Sequence, residues 1–133
     1  MDSMGVAHLV AEPASAPMLT HIGPRYPLMA GKDVVPFGYI PGEPAPVEQE
    51  FLARHDISGY PISTVRGRAR QAATEARARL ETQAERFVIH FDVDVIDFVD
   101  FPAADVTQPQ QGLTFAETLA SLQVFCASPS LRG

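Results

Sequence analysis

The sequence predicts an α/β fold of three layers, in which helices cover both faces of a parallel sheet. Three observations support this prediction: strand-like and helix-like segments alternate, one helical segment is long and amphipathic, and one apolar run ends in paired aspartates. A chain that alternates strands with helices forms right-handed crossovers, which place its strands parallel. With 133 residues, the chain is long enough for a single domain with a core, and we expect residues 1–133 to form one partial α/β domain.

The composition narrows the range of functions. The apolar fraction of 46% and the charged fraction of 20% are ordinary for a globular protein. The net charge of −6 gives no support to a nucleic-acid partner or an anionic membrane. No apolar stretch reaches the length of a membrane span and no signal pattern opens the chain, so we expect a cytoplasmic protein. Cys126 is the sole cysteine, which excludes an internal disulfide, and we expect it to be a buried small apolar residue.

The first half of the chain is predicted to be rich in loops. Most of the 12 prolines precede residue 62, and residues 10–46 carry many of them. We predict a helix over residues 1–9, a short strand over 32–40, a helix over 46–54 and a short strand or extended link over 56–62. Pro36 lacks an N–H group, which argues against a central position for the strand. His21 and His55 fall in loop-like or helix-end positions and are expected to be solvated.

The second half contains the longest predicted helix, over about residues 64–85, with Ser63 or Thr64 as its N-cap. An apolar stripe at helical spacing supports it. The stripe consists of Val65, Ala69, Ala72, Ala76, Leu80 and Ala84. The arginines and glutamates between the stripe residues are typical of a solvated helix face. Further on, Thr114 and Glu117 have the spacing of a capping box, which predicts a last helix from there to about Ala127.

The segment most informative about function is the predicted strand at residues 87–94. Five of the seven residues from Phe87 to Val93 are aliphatic or aromatic, which suits a strand buried on both faces of a sheet. Asp92 and Asp94 are two residues apart, so a pleated strand points both carboxylates the same way, and His90 shares their parity. Two neighbouring carboxylates need a positive partner, and a hard cation such as Mg²⁺, Ca²⁺ or Mn²⁺ is the simplest one. The alternative is that both aspartates cap the following turn.

Three kinds of site contain an apolar strand followed by Asp-x-Asp. An EF-hand loop is excluded because it requires an oxygen ligand at Ile96 and a glycine at Asp97. A haloacid-dehalogenase-like phosphatase would use Asp92 as nucleophile and Asp94 as acid/base. That motif opens its domain and needs a lysine downstream, whereas no lysine follows Asp94.

The third kind fits better. The run from His90 to Asp97, His-Phe-Asp-Val-Asp-Val-Ile-Asp, is followed by Gly112-Leu113-Thr114. Together they resemble the last metal motif of the arginase/agmatinase (ureohydrolase) family. Residues 4–7, 33–38 and 65–80 extend the resemblance over nearly the whole chain.

The resemblance implies a three-layer arginase-like fold with a binuclear Mn²⁺ site. In that family the metal-bound hydroxide attacks the guanidinium carbon of a small substrate, of the arginine or agmatine type, and releases urea. It implies that Asp92 and Asp94 are metal ligands and that Asp97 supports them. His90, by its strand parity, is expected beside the same site, and no residue is assigned a catalytic role.

The chain also departs from the family pattern. The family's earlier ligands, in Gly-Gly-Asp-His and Asp-Ala-His-x-Asp segments, have no counterpart, and His90 and Phe98 stand where Ser or Thr and Pro are usual. We therefore expect a C-terminal-half segment, incomplete at both ends, with little or no hydrolase activity of its own. The resemblance is compatible with a homo-oligomer. The alternative expectation is a non-catalytic remnant or interaction domain.

Overall fold

A computed structural model describes residues 4–13, 15–42, 45–102 and 111–132. The chain divides into two compact units. Unit 1 comprises Met1–Val34 and Glu43–Ser58, and unit 2 comprises Val35–Gly42 and Gly59–Gly133. Among the helices that the structure describes, none has the length and apolar character needed to cross a membrane.

Unit 1 is helical. It contains α1 (Met4–Leu9), α2 (Pro17–Thr20), a 3₁₀ turn at Gly31–Asp33 and α3 (Ala45–Arg54). The helices predicted over 1–9 and 46–54 are thus present, although residues 1–3 lie outside the described part.

An acidic residue after α1 connects it to the end of α3. The carboxylate of Glu12 accepts a hydrogen bond from Arg54 at 2.7 Å and a second one from the ring of His55. The His55 side chain is only 17% exposed, so the expectation that it is solvated was wrong. The hydrogen bond between the carboxylate and the ring nitrogen compensates both groups for the water that they lose on burial. Glu12 and His55 are 43 positions apart, so a local sequence pattern does not indicate this contact.

Unit 2 contains the small sheet and the predicted site. Its strands are β1 (Phe37–Tyr39) and β2 (Tyr60–Pro61), and its helices are α4 (Ile62–Val65), α5 (Ala69–Gln83) and α6 (Phe115–Cys126). The strands pair in parallel, with Phe37 opposite Tyr60, as the alternation of elements predicts. In the described residues the sheet has these two strands, and a full three-layer arrangement is not confirmed.

The core of unit 2 lies between α5 and α6. Ala72, Ala73 and Ala76 on α5 have no exposed surface, and the ring of Phe125 on α6 meets Phe37 edge-on at a centroid distance of 5.3 Å. The predicted apolar stripe is therefore the buried face of α5 over this stretch. Small alanine side chains let the second helix approach closely. Cys126, at the end of α6, is exposed, contrary to the expectation that it is buried.

The long helix predicted over about 64–85 is interrupted. Residues 66–68 separate α4 from α5, and Gly67 has a φ of +73°. That conformation is left-handed and is accessible chiefly to glycine, so the chain turns there before α5 begins. The helix ends at Gln83 because Ala84 is extended, with φ −144° and ψ 141°.

The strand predicted at 87–94 is also largely absent. Phe87 forms one parallel bridge with Leu131, supported by a 2.9 Å hydrogen bond from Arg132 N–H to the Phe87 carbonyl, but residues 88–92 form no ladder. Val88 is 72% exposed and Phe91 41%, so the expected burial on both faces was wrong. A strand persists only where a neighbouring segment continues its hydrogen bonds, and this pairing ends at Phe87.

Candidate metal-binding segment

The two aspartates lie at a short turn rather than on a pleated strand. Residues Val93–Val95 form a 3₁₀ turn, and Asp92 is its N-cap. The Asp92 Oδ1 atom accepts a hydrogen bond from the Asp94 N–H group at 3.2 Å. Asp92 is therefore a capping residue, which is the alternative that its sequence context left open. The argument that pleating aligns the two carboxylates does not apply to this turn.

His90 and the two aspartates differ in how far their side chains are exposed. The side chains of His90 and Asp92 are exposed, and Asp94 is half-buried. Because residues 88–92 form no strand ladder, the shared parity does not place the His90 side chain on the same side as Asp92 and Asp94. The structure thus leaves the predicted ligand roles of Asp92 and Asp94, and the supporting role of His90, as predictions.

Asp97 is the buried carboxylate of the segment, with 7% of its surface exposed. Its Oδ1 atom accepts from Val99 N–H at 3.0 Å and its Oδ2 atom from Gly112 N–H at 3.2 Å. Its own N–H donates to the Leu113 carbonyl at 2.7 Å. Hydrogen bonds from backbone N–H groups compensate the carboxylate for lost water. Asp97 therefore joins the aspartate turn to residues 112 and 113.

Gly112 is required at that junction by steric constraints. A Cβ atom at this position would lie 2.2 Å from the Asp97 nitrogen and 2.5 Å from its Cα atom. Both obstacles are backbone atoms, which cannot rotate away. Gly112 thus permits the close approach on which the Asp97 hydrogen bonds depend.

The two residues that follow Gly112 have separate structural roles. Leu113 is 1% exposed and packs in a cluster with Val65 and Ala69, and Val95 from the aspartate turn packs against the same cluster. Thr114 is the N-cap of α6 and forms the predicted capping box with Glu117. The Gly-Leu-Thr motif therefore combines a close approach, a core anchor and a helix start.

Glu117 reaches beyond its own helix. One carboxylate oxygen accepts from the Thr114 N–H at 3.0 Å and from its hydroxyl at 2.9 Å, and the other accepts from the Gly67 N–H at 2.7 Å. Partial burial acts to raise the pKa of Glu117, but these hydrogen bonds and the positive charge of Arg66 outweigh it and lower that pKa below its ordinary value. Sequence reasoning found the capping box but not the bond to Gly67, since the two residues are 50 positions apart.

The donor set fits a hard cation in kind but not in number. Asp92 and Asp94 offer carboxylate oxygens, which Mg²⁺, Ca²⁺ and Mn²⁺ prefer. Within the described ranges, no group of three or more His, Cys, Asp or Glu residues is arranged to hold a metal ion. A binuclear site needs several more ligands than two carboxylates. The described residues therefore do not complete the implied Mn²⁺ centre.

Comparison with known proteins supports the resemblance that the motifs indicate. Residues 11–133 match the arginase family, and the chain belongs to that family. Searches of curated proteins and of solved structures find no match. The family match covers both the aspartate turn and the Gly-Leu-Thr motif, and it gives no support to the phosphatase interpretation.

Proposed function

We propose that this chain carries part of the Mn²⁺ centre of an arginase-family hydrolase, with Asp92 and Asp94 as its ligands. The substrate would be a small guanidino compound of the arginine or agmatine type, and the reaction would cleave a guanidino C–N bond and release urea. The family match over residues 11–133 is the observation that carries this proposal.

Asp97 supports this assignment through the backbone that carries the two carboxylates. It is buried and fixes the end of the aspartate turn to Gly112, so the two carboxylates are attached to a restrained backbone. Preorganised ligands bind metal better than ligands on a mobile loop. No residue of the chain is assigned a catalytic step, because the described carboxylates do not complete a two-metal site.

We expect little or no urea release by this chain alone, because a metal held by two carboxylates binds weakly. The measurement is urea production from arginine and from agmatine with added Mn²⁺. Substantial turnover that Asp92→Asn and Asp94→Asn leave intact would contradict the assignment of the two ligands. Substantial turnover that both variants abolish would contradict only the expected weakness of the site.

A second measurement tests the metal and the substrate class without turnover. Mn²⁺ bound to a protein relaxes water protons more strongly than free Mn²⁺, so weak sites are detectable. We expect an enhancement that Asp92→Asn and Asp94→Asn lower and that the exposed-site control Glu85→Gln keeps. Addition of arginine should change the enhancement, whereas lysine, which has an amine in place of the guanidinium, should not. An equal response to lysine would contradict a guanidino substrate, and no enhancement at all would favour the non-catalytic alternative.

A further inference from the structure

The segment that carries the predicted ligands is held from one side by residues 112–115. Asp97 N–H donates to the Leu113 carbonyl at 2.7 Å, and Leu113 N–H donates to the Val95 carbonyl at 2.8 Å. Phe115 N–H donates to the Asp100 carboxylate at 2.8 Å. With the two bonds that Asp97 accepts, these contacts span the chain from the end of the aspartate turn to Asp100.

On its other side the segment has no strand pairing. Residues 88–92 form no ladder, and Val88 is 72% and Phe91 41% exposed, although Ile89 packs against the core cluster that contains Phe87. The hydrogen bonds from residues 112–115 are therefore one of the main restraints on the position of Asp92 and Asp94.

Residues 112–117 are held in turn by the break between α4 and α5. The Arg66 Nη2 atom donates to the Gly112 carbonyl at 2.7 Å. The Gly67 N–H donates to Glu117, whose other carboxylate oxygen accepts from Thr114. A Cβ atom on Gly67 would meet nothing within 4 Å, so its left-handed conformation, rather than a lack of space, requires glycine there.

We propose that Arg66 and Glu117 are positioning residues for the aspartate turn, acting on it through Gly112, Thr114 and Asp97. This inference rests on the proposed function, because the segment that Arg66 and Glu117 would position is the one that carries the proposed metal ligands.

The test measures amide hydrogen exchange by NMR on the metal-free protein. In Glu117→Gln, an amide NH₂ group would face at least one of the N–H donors that the carboxylate accepts. In Arg66→Gln, the bond to the Gly112 carbonyl is lost. We expect the Asp97 and Leu113 amides to exchange about tenfold faster in each variant, the effect of losing one net hydrogen bond from a local opening. Amides in the middle of α5 and α6, such as those of Ala76 and Val124, should keep their rates.

Two matched controls separate positioning from general stabilisation. Arg70 also connects α5 to α6, through a 2.9 Å bond to Gln123, but it does not contact residues 112–117 through that bond. Glu75 is an exposed carboxylate paired with Arg68 at 2.6 Å. Arg70→Gln and Glu75→Gln should leave the Asp97 and Leu113 amides unchanged. Arg66→Lys, which keeps a charged donor, should restore part of the protection.

Three results would overturn the inference. The first is unchanged exchange of Asp97 and Leu113 in both variants, and the second is an equal acceleration of all amides. The third is the same acceleration in the Arg70→Gln control. If Glu117→Gln fails to fold, Arg66→Gln and its Lys rescue still decide the question. Because the exchange measurement uses no metal, an absence of Mn²⁺ binding in the wild type would refute the proposed function and leave this inference intact.

Discussion

At the scale of single residues, the contact between Gly112 and Asp97 does most to shape the candidate site. The main chain at Gly112 passes so close to Asp97 that the three nearest atoms to a Cβ, at 2.2 to 2.5 Å, all belong to backbone. The same contact lets the buried Asp97 carboxylate accept the Gly112 N–H. A side chain at residue 112 would therefore separate the aspartate turn from the residues that hold it.

We predict that Gly112→Ala lowers the free energy of unfolding by about 1–3 kcal/mol, the usual cost of forcing extra atoms into a packed site. Urea denaturation followed by circular dichroism measures this change. The matched control is Gly5→Ala in α1, where a Cβ atom would meet nothing within 4 Å. That substitution should be neutral or slightly stabilising, because alanine is the better helix former. Equal stability of Gly112→Ala and the wild type would contradict the close approach.

At the scale of elements, the start of α6 is fixed by charge as well as by hydrogen bonds. Glu117 lies in the first turn, where a negative charge interacts favourably with the helix dipole. Although partial burial would raise its pKa, the hydrogen bonds from Gly67 and Thr114 and the charge of Arg66 leave that pKa lowered from its ordinary value of 4.5. The ionised form is therefore the form that stabilises the folded chain.

This lowered pKa predicts a pH-dependent loss of stability. A carboxyl with a depressed pKa stabilises the folded state fully above its unfolded-state pKa and loses that contribution as the pH falls through the folded value. We expect Glu117→Gln to cost about 1 kcal/mol near neutral pH, typical of a lost cap. The difference from the wild type should shrink as the pH falls below the ordinary value of 4.5 and through the lowered pKa of the folded state. Chemical denaturation across this range measures it, and a difference that stays constant with pH would contradict the prediction. In a Thr114→Ala background the pH dependence should be weaker, because the hydroxyl donor is gone.

The helices and strands also show which structural features a local sequence pattern predicts. The start of α6 could be predicted because its signal, Thr114 followed three residues later by Glu117, is local. The start of α5 was missed although Gly67 stood inside the predicted helix, because a single glycine in an apolar stripe is often tolerated. The apolar run predicts a strand at 87–94, yet pairing depends on a neighbouring segment, and among the described residues of this stretch it is found at Phe87.

The candidate site was predictable only in part, for the same reason. Asp92 and Asp94 were singled out from their spacing, and the family resemblance from that motif is confirmed over residues 11–133. The bond between Asp97 and Gly112 spans 15 positions, and the one between Gly67 and Glu117 spans 50. Such contacts arise from packing of α5 against α6, so no periodicity or spacing in the sequence indicates them.

At the scale of the whole molecule, the question is how many metal ligands the chain brings to one place. The net charge is −6, and carboxylates cluster in the segment from Asp92 to Asp100. Clustering of charge attracts cations in general, whereas a binding site requires ligands aimed at one point. In the described residues, no group of three or more such ligands is arranged to hold one metal ion. The negative charge therefore predicts attraction of cations, whereas the ligand arrangement predicts weak binding.

We predict that Mn²⁺ raises the thermal midpoint only slightly. A ligand at a concentration equal to its dissociation constant stabilises by about 0.4 kcal/mol, which corresponds to about 1–2 °C for a chain of this size. A complete site at millimolar Mn²⁺ would instead give about 4 kcal/mol at a thousandfold excess over the dissociation constant, and a shift of roughly 10 °C. Thermal unfolding with Mn²⁺, and again after removal of the metal with a chelator, separates the two cases. The small shift should vanish in Asp92→Asn and persist in Glu85→Gln. A shift of roughly 10 °C would mean that further ligands join this pair, and a shift that Asp92→Asn leaves unchanged would mean that the metal is held by other ligands.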